Sequence, residues 1–259
     1  MATSESLLVE RPTDEIVVFR INRPQVRNAL NLEVRSGLAD AVTHYGADKT
    51  VRCMIVTGSD LAFAAGADIA EMAEAAPVEV MSRNVQKYWR VIMECPKPLI
   101  AAVEGFALGG GLELALCTDI IIAGEGAKLG LPEVRVGILP GGGGTQKLAR
   151  LVGRHRAMLL IMTGRMFGAA EALSMGVVSE VVPTGQALAR AIDVAREISA
   201  MPPISIMQIK EIVNAGVNAP LETALVLERK AFQLQFATRD QKEGMRAFLE
   251  KRKPKFEGQ

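Results

Sequence analysis

A single carboxylate interrupts the most apolar stretch of this chain. Across residues 105–117 every position is apolar or glycine except Glu113. A helix in this stretch would be hydrophobic on all sides, which predicts that other elements enclose it. Because an isolated ionised carboxylate is costly to bury, either a distant group neutralises Glu113 or its raised proton affinity serves chemistry. Glu133, in Gly-Leu-Pro-Glu-Val, has a similar setting.

Composition and charge limit the class of protein. Of 259 residues, 49% are apolar, which is enough for a sizeable core. Lys and Arg number 30 and Asp and Glu 29, and this balance argues against a dedicated nucleic-acid or membrane-surface protein. No apolar run approaches the ~20 residues of a membrane span, and the first residues resemble neither a signal peptide nor a mitochondrial presequence. We therefore expect a cytoplasmic protein without nucleic-acid or membrane partners.

The cysteines and histidines do not indicate a metal site or a disulfide framework. Cys53, Cys95 and Cys117 lie in apolar surroundings without CxxC spacing, which is typical of reduced core residues. His44 and His155 are too few and too isolated for a typical His-rich metal site. We expect no bound metal.

Strand and helix patterns alternate along the first half of the chain. Short apolar runs indicate strands, and apolar residues at helical spacing indicate the helices between them. The predicted strands span residues 16–21, 51–57, 99–103 and 119–123. The predicted helices span 30–45 and 78–93, with short helices opening at Asp68 and Gly110. This alternation predicts an α/β domain with largely parallel sheets.

Helices dominate beyond Thr145. A last strand is predicted at 177–182, and helices follow at 185–200, 204–217, 220–237 and 239–250. The Met201-Pro202-Pro203 break divides the chain into residues 1–200, a core with the active site, and residues 201–259, a helical region. The last helices carry an apolar stripe that favours a subunit interface, formed by Leu221, Ala224, Leu225, Leu227, Phe232 and Phe236.

Two motifs of small residues each follow a predicted strand, at 63–69 and at 109–111. Small residues let a ligand approach the backbone, and N–H groups at a helix start favour negative charge. Two such donors converging on one point would form an oxyanion hole able to stabilise a thioester enolate. Tight strand–helix turns are the alternative interpretation. A third glycine tract, at 140–146, lacks the GK[ST] of a phosphate-binding loop, and neither it nor residues 109–111 fit GxGxxG.

Several motifs together resemble one known family. They read Asn-Arg-Pro at 22–24, Arg-Asn-Ala-Leu-Asn at 27–31, Phe-Ala-Ala-Gly-Ala-Asp-Ile at 63–69, Leu-Gly-Gly-Gly-Leu-Glu-Leu-Ala at 108–115, Pro-Glu at 132–133, Pro-Gly-Gly-Gly-Gly-Thr-Gln at 140–146 and Glu-Gly-Met-Arg-Ala-Phe-Leu-Glu-Lys-Arg at 243–252. This set resembles the enoyl-CoA hydratase (crotonase) family from about residue 6 to the end. The resemblance implies a spiral core of repeated strand-strand-helix units and a C-terminal helical trimerisation region.

The resemblance also implies the site. The oxyanion-hole amides fall on Ala67 and Gly110, and the two catalytic glutamates fall on Glu113 and Glu133. Family members form trimers or hexamers, so we expect a homotrimer or a homohexamer. Phe248 and Lys251 match positions that reach CoA from the closing helix, often across a subunit boundary. The other positions expected to contact CoA or the acyl group are Arg27, Ala29, Ala65, Asp68, Ile69, Pro132 and Gly141.

The implied reaction is reversible addition of water to a 2-enoyl-CoA, in which CoA is part of the substrate and no cofactor is needed. Glu113 is assigned to activating water and Glu133 to protonating the α carbon. The alternatives are double-bond isomerisation, dehydration of a specialised acyl-CoA, and an RNA-binding relative. The Leu-Pro-Glu segment resembles hydratases of fatty-acid β-oxidation and of aromatic (phenylacetate) degradation alike.

Two departures from the family pattern carry expectations. Ala70 replaces a common lysine and is expected to weaken a CoA contact, and Arg135 is expected to lower the pKa of nearby Glu133. A purely structural alternative for Glu113 is a buried ion pair with Arg135 or Lys147. The candidates for lining the acyl pocket, each equally compatible with general core, are Met72, Trp89, Met93 and Leu116.

Overall fold

The computed structural model describes residues 5–259, which form ten strands and eleven α-helices. The strands are β1 (Leu7–Thr13), β2 (Ile16–Ile21), β3 (Cys53–Thr57), β4 (Ala62–Ala64), β5 (Leu99–Val103), β6 (Phe106–Leu108), β7 (Ile120–Gly124), β8 (Lys128–Gly130), β9 (Phe167–Gly168) and β10 (Glu180–Val182). The helices are α1 (Leu32–Ala47), α2 (Pro77–Arg83), α3 (Gln86–Glu94), α4 (Gly110–Ala115), α5 (Gly144–Val152), α6 (Arg154–Thr163), α7 (Ala169–Ser174), α8 (Ala187–Ser199), α9 (Pro203–Gly216), α10 (Leu221–Gln235) and α11 (Arg239–Leu249).

The strands form two sheets. The larger has the order β1-β2-β3-β5-β7-β10 and is parallel except where β1 pairs with β2. The smaller has the order β4-β6-β8-β9 and is parallel except where β8 pairs with β9. The predicted α/β class with largely parallel sheets is therefore confirmed.

From β3 to β8, successive strands alternate between the two sheets. In each turn of the chain a strand of the large sheet is followed by a strand of the small sheet and then by helix: β3-β4 leads to α2, β5-β6 to α4 and β7-β8 to α5. Since equivalent strands stack side by side, the connections at their ends also stack. This repetition brings the start of α4 beside the segment after β4.

The central strands of the large sheet, β2, β3, β5 and β7, are buried on both faces, which explains their almost continuous apolar sequences. Alternate residues point to opposite sides. Val17, Met54 and Ala101 enter the main core, whereas Ile16, Ile55 and Ile100 face a second cluster. Helix α8 covers that second cluster with three alanines spaced four residues apart: Ala187, Ala191 and Ala195.

A partly buried ion pair helps attach the C-terminal helices to the core. The Lys210 ammonium on α9 donates to Asp119 Oδ2 at 2.8 Å, and Asp119 Oδ2 also accepts from the Leu99 amide at 2.8 Å. Helices α9 and α10 pack on each other, but much of their apolar surface is exposed. The division of the chain at residues 200 and 201 stays a prediction.

The structure corrects several predicted elements. The helix expected at 78–93 is two helices, α2 and α3, because Asn84 adopts the left-handed conformation (φ 41°) between them. The strand expected at 177–182 is shorter, at 180–182. Asn31 caps α1 through a 3.0 Å bond from the Val34 amide, as predicted. Asp68 caps the turn Ile69–Glu71, which is a 3-10 helix. Within the described residues no helix is both long and apolar enough to cross a membrane.

Candidate active site

The buried helix α4 carries Glu113. All six of its residues are buried, so the enclosure predicted from the apolar run is confirmed. Gly109, directly before the helix, has a positive φ of 50°, which suits glycine. A Cβ at Gly111 would overlap the Ala64 carbonyl oxygen, so glycine allows α4 to lie directly against β4.

Glu113 is held by backbone amides. Its Oε1 accepts hydrogen bonds from the amides of Gly142 at 2.7 Å and Gly144 at 2.8 Å. Burial raises the pKa of Glu113, and the two amides, followed by the charges of Lys147 and Arg35, partly oppose that rise. The amides make the ionised carboxylate tolerable in a buried place, so Glu113 is poised to accept a proton.

The ion pair considered as a structural alternative does not form within the described chain. Lys147 Nζ instead donates to Cys117 Sγ at 2.7 Å. The Arg135 side chain lies against Gly164, where a Cβ would be 3.1 Å from Arg135 Nε. All three cysteines are free and buried, as predicted.

Glu133 begins the 3-10 turn Glu133–Val136 and faces the start of α4. A Cβ at Gly109 would lie 2.9 Å from Glu133 Oε1, so glycine leaves room for this carboxyl group. Glu133 Oε2 is enclosed and has no hydrogen-bond partner among the described residues. An enclosed, unpartnered oxygen favours the protonated carboxylic acid.

The pKa of Glu133 agrees with the enclosed position of its Oε2. Burial raises the pKa of Glu133 to about 7, its own backbone amide opposes the rise, and the negative charge of Glu113 adds to it. The expectation that Arg135 lowers this pKa is therefore wrong. Arg135 is exposed, where water screens its charge, and it is not among the groups that shift the Glu133 pKa. The two acids thus differ: one is held by amide donors, and the other retains its proton to near neutral pH.

Ala67 and Gly110 bring two amides together. Leu30 donates to the Gly66 carbonyl at 2.7 Å and accepts from the Asp68 amide at 3.2 Å, so the Ala67 N–H between them points away from Leu30. The Ala67 nitrogen lies 3.4 Å from where a Gly110 Cβ would stand. Neither amide donates a hydrogen bond to any described residue. Two unused donors therefore adjoin the helix that carries Glu113.

The residues expected near CoA fall into two groups. Those at 27–69 adjoin the paired amides: the Ala65 amide donates to the Arg27 carbonyl at 3.0 Å, Asp68 pairs with Arg23 at 2.9 Å, and Ile69 is exposed. Ala29 lies on the same edge, where its carbonyl accepts from Arg23 at 2.6 Å.

The other residues expected to contact CoA or the acyl group lie on the turn that carries Glu133, in the glycine tract at 140–146 and at the end of α11. Pro132 caps the turn that carries Glu133, and the Gly141 carbonyl accepts from Gln86 at 2.9 Å. Phe248, at the end of α11, is 83% exposed. No hydrogen bond within the described chain joins Phe248 or Lys251 to the residues at 27–69. The expected contact of Phe248 and Lys251 with CoA stays a prediction.

The structure adds contacts at the site that sequence reasoning did not predict. In the glycine tract at 140–146, where only Gly141 was expected to contact the substrate, the amides of Gly142 and Gly144 bind Glu113 directly. A Cβ at Gly142 would overlap Trp89 Nε1 and lie 2.6 Å from Glu113 Oε2, so Trp89, one of the candidates for lining the acyl pocket, is a core residue that adjoins the site.

This fold, with two acids and two free amides around one helix start, defines an α/β enzyme of the crotonase type. The chain belongs to the enoyl-CoA hydratase/isomerase family, whose sequence pattern matches residues 11–259. It is 44% identical to a probable enoyl-CoA hydratase of Mycobacterium tuberculosis, over 98% of each chain. It is 44% identical to a crotonyl-CoA hydratase of Syntrophomonas wolfei, over 97% of this chain and 98% of that one.

The fold is shared with solved structures. An enoyl-CoA hydratase subunit from Geobacillus kaustophilus is similar with a TM-score of 0.95 and 41% identity, over 99% of this chain and 100% of that one. The predicted family and its spiral fold are therefore confirmed.

Proposed function

We propose that this protein adds water reversibly to the double bond of 2-enoyl-CoA thioesters. Hydratase activity in general is supported by the relatives that carry this name. The observation that carries the mechanism is the contrast between the two acids: Glu113 Oε1 accepts two amide hydrogen bonds, while Glu133 Oε2 is enclosed without a partner. Such a pair can accept one proton and donate another in a single reaction.

In the proposed complex, the thioester oxygen accepts hydrogen bonds from the Ala67 and Gly110 amides. Negative charge that develops on this oxygen is stabilised by about 3 kcal/mol for each donor. The CoA moiety lies along the edge that contains Arg27, Ala65 and Asp68, and the acyl chain extends past α4. The absence of a lysine at Ala70 removes one contact to CoA.

Glu113 takes a proton from water while the water oxygen forms a bond to C3. The electron pair of the C2–C3 double bond moves towards the thioester, and Glu133 delivers its proton to C2. Water is thereby divided into a hydroxyl on C3 and a net proton on C2, and the proton on Glu113 replaces the one that Glu133 has lost. These steps use the protein's own groups, with CoA as part of the substrate.

Crotonyl-CoA tests the activity directly. The purified protein should convert it to 3-hydroxybutyryl-CoA, with loss of the absorbance of the conjugated thioester and a product identified by mass. A 3-enoyl-CoA should not be converted to the conjugated isomer at a comparable rate. Isomerisation without hydration of crotonyl-CoA would overturn the proposal in favour of the isomerase alternative.

We further propose that the working form is a homotrimer or a homohexamer in the cytoplasm. The C-terminal helices expose large apolar side chains, which is unusual for a monomer; these include Leu221, Leu225, Phe232, Leu234, Phe248 and Leu249. A neighbouring subunit would cover them and could supply Phe248 and Lys251 to the CoA site. Free buried cysteines are compatible with a reducing compartment.

A further inference from the structure

Lys147 is a partly buried lysine that the proposed reaction does not use. It lies in the first turn of α5, where its amide donates to the Gly143 carbonyl at 2.9 Å. Its side chain runs along the glycine tract at 140–146, because a Cβ at Gly143 would lie 3.5 Å from Lys147 Cε. Among residues 5–259 no carboxylate lies within ion-pair distance of its ammonium group. A partly buried ammonium in this state needs another partner.

That partner is the thiol of Cys117. Lys147 Nζ donates to Cys117 Sγ at 2.7 Å, and Cys117 Sγ donates to the Glu113 carbonyl at 3.1 Å. Burial raises the pKa of the Cys117 thiol, and the charge of Lys147 opposes that rise. The thiol therefore keeps its proton near neutral pH, so it can accept one hydrogen bond and donate the other. A chain of two hydrogen bonds thus joins the ammonium group to the backbone of Glu113.

This chain holds the positive charge near Glu113 but not on its carboxylate. Glu113 Oε1 accepts the amides of Gly142 and Gly144, and no described residue donates to Oε2. An ammonium bonded to Oε2 would occupy the oxygen that the proposed mechanism needs for water. Held by the thiol instead, Lys147 still opposes protonation of Glu113, with an effect on its pKa that follows those of the two amides.

The other charged groups that face Glu113 come from two elements. Arg35 on α1 also favours the ionised carboxylate, but less strongly than Lys147 does. Glu133, on the turn Glu133–Val136, has its pKa raised in part by the negative charge of Glu113. A cation that keeps Glu113 ionised therefore also helps Glu133 to keep its proton, and Lys147 is the cation with the larger effect.

We propose that Lys147 is a positioning residue for hydration, whose ammonium is held by the Cys117 thiol behind Glu113 so that its charge favours a carboxylate ready to accept a proton. The inference rests on the proposed function, because it requires Glu113 to take a proton from water. It separates Lys147 from a structural lysine, since a change in charge near Glu113 alters the pH dependence of the rate and a change in packing does not.

The pH dependence of kcat/KM for crotonyl-CoA at constant ionic strength tests the charge. In Lys147→Met, the ratio of kcat/KM at pH 5.5 to that at pH 7 should be about 3- to 10-fold lower than in the wild type, because Glu113 is protonated more readily. Lys147→Arg keeps a cation and should restore most of this ratio. Arg150→Met is the matched control, because Arg150 is an exposed cation on the same helix; it should keep the wild-type ratio.

Two variants of Cys117 test how the ammonium is held. Cys117→Ala removes the acceptor and frees Lys147 to pair with Glu113, so kcat should fall about 3- to 10-fold with little change in KM. Cys117→Ser is the matched control, because a hydroxyl can accept and donate the same two hydrogen bonds; its kcat should stay closer to that of the wild type.

Equal pH ratios in Lys147→Met and Arg150→Met would overturn the inference. A loss in Lys147→Met that is the same at every pH would also overturn it, since that result would show a structural role alone. If Lys147→Met does not fold, the Cys117 variants decide: a lower kcat in Cys117→Ala than in Cys117→Ser supports the inference, and equal values overturn it. Failure of the wild type to hydrate crotonyl-CoA would instead refute the proposed function.

Discussion

The Gly142 amide donates a 2.7 Å hydrogen bond to Glu113 Oε1 and so joins the third glycine tract to the buried helix. The Gly144 amide does the same at 2.8 Å. Backbone dipoles, rather than a cationic side chain, thus make a buried carboxylate tolerable at this position. Glu113 can therefore stay ionised without a salt bridge that would compete for its proton.

Gly142→Ala should damage the site sterically. A Cβ there would overlap Trp89 Nε1 and crowd Glu113 Oε2, so the carboxylate must move. Because a displacement of about 1 Å costs on the order of 10²-fold in rate, kcat for crotonyl-CoA should fall to that extent. The matched control is Gly37→Ala in α1, where the nearest atom is 3.6 Å away. Equal rates in the two variants would contradict this account.

The rate of hydration should depend on the proton of Glu133. Burial raises the pKa of this residue to about 7, so the acid that protonates C2 is present below about pH 7 and is lost above it. The kcat/KM of the wild type should therefore decline as pH rises through neutrality. A profile that stays flat to pH 9 at constant ionic strength would contradict the assignment.

Stability should respond to the same group. The folded-state pKa of Glu133 lies above the value of about 4.3 expected in the unfolded chain. Its contribution to stability is therefore complete below the unfolded pKa and is lost as pH rises through about 7. Glu133→Gln should show a smaller fall in Tm between pH 5 and pH 8 than the wild type. An identical fall in both proteins would argue against a raised pKa.

The Lys210–Asp119 pair should matter for stability more than exposed charges do. Burial raises the pKa of Asp119, and Lys210 opposes that rise. Lys210→Met leaves a largely enclosed carboxylate without its cation, which should cost about 1–3 kcal/mol in denaturant unfolding. Lys49→Met removes an exposed lysine and should change stability by less than about 0.5 kcal/mol. Equal effects would show that the pair contributes little.

Subunit association should depend on the exposed apolar face of α10. Phe232 is 63% exposed and packs edge-on against Phe236 at 5.3 Å between ring centroids. Phe232→Glu places a charge on this face and should shift the sedimentation mass towards the 27.8 kDa of a single chain. Thr223→Glu is the matched control, because it adds the same charge at a polar exposed position of the helix, and it should leave the sedimentation mass unchanged. A monomeric wild type would contradict the proposed assembly.

The sequence predicted those elements whose pattern is long and local. Strands such as β5 and the buried helix α4 were predicted from continuous apolar runs. The N-terminal cap of α1 was predicted from the position of Asn31. The three-residue strands β4, β6 and β8 are too short to show a period, so they were missed. The break at Asn84 interrupts no apolar pattern, so α2 and α3 could not be distinguished from one helix.

The site was predictable in its residue types but not in its contacts. Glu113, Glu133 and the small-residue motifs stand out locally. The hydrogen bonds that hold Glu113 join residues 29 and 31 positions apart, and tertiary structure alone sets them. The effect of Arg135 was misjudged because proximity along the chain says little about where an exposed side chain points.

Removal of either acid tests the account most directly. With crotonyl-CoA as substrate, Glu113→Gln and Glu133→Gln should each lower kcat by about 10²- to 10⁴-fold. Both variants should keep the wild-type circular dichroism, and Glu125→Gln, which alters an exposed glutamate, should keep the wild-type rate. Hydration by a folded Glu113→Gln or Glu133→Gln variant within a few-fold of the wild type would contradict the central claim that these two acids move the protons.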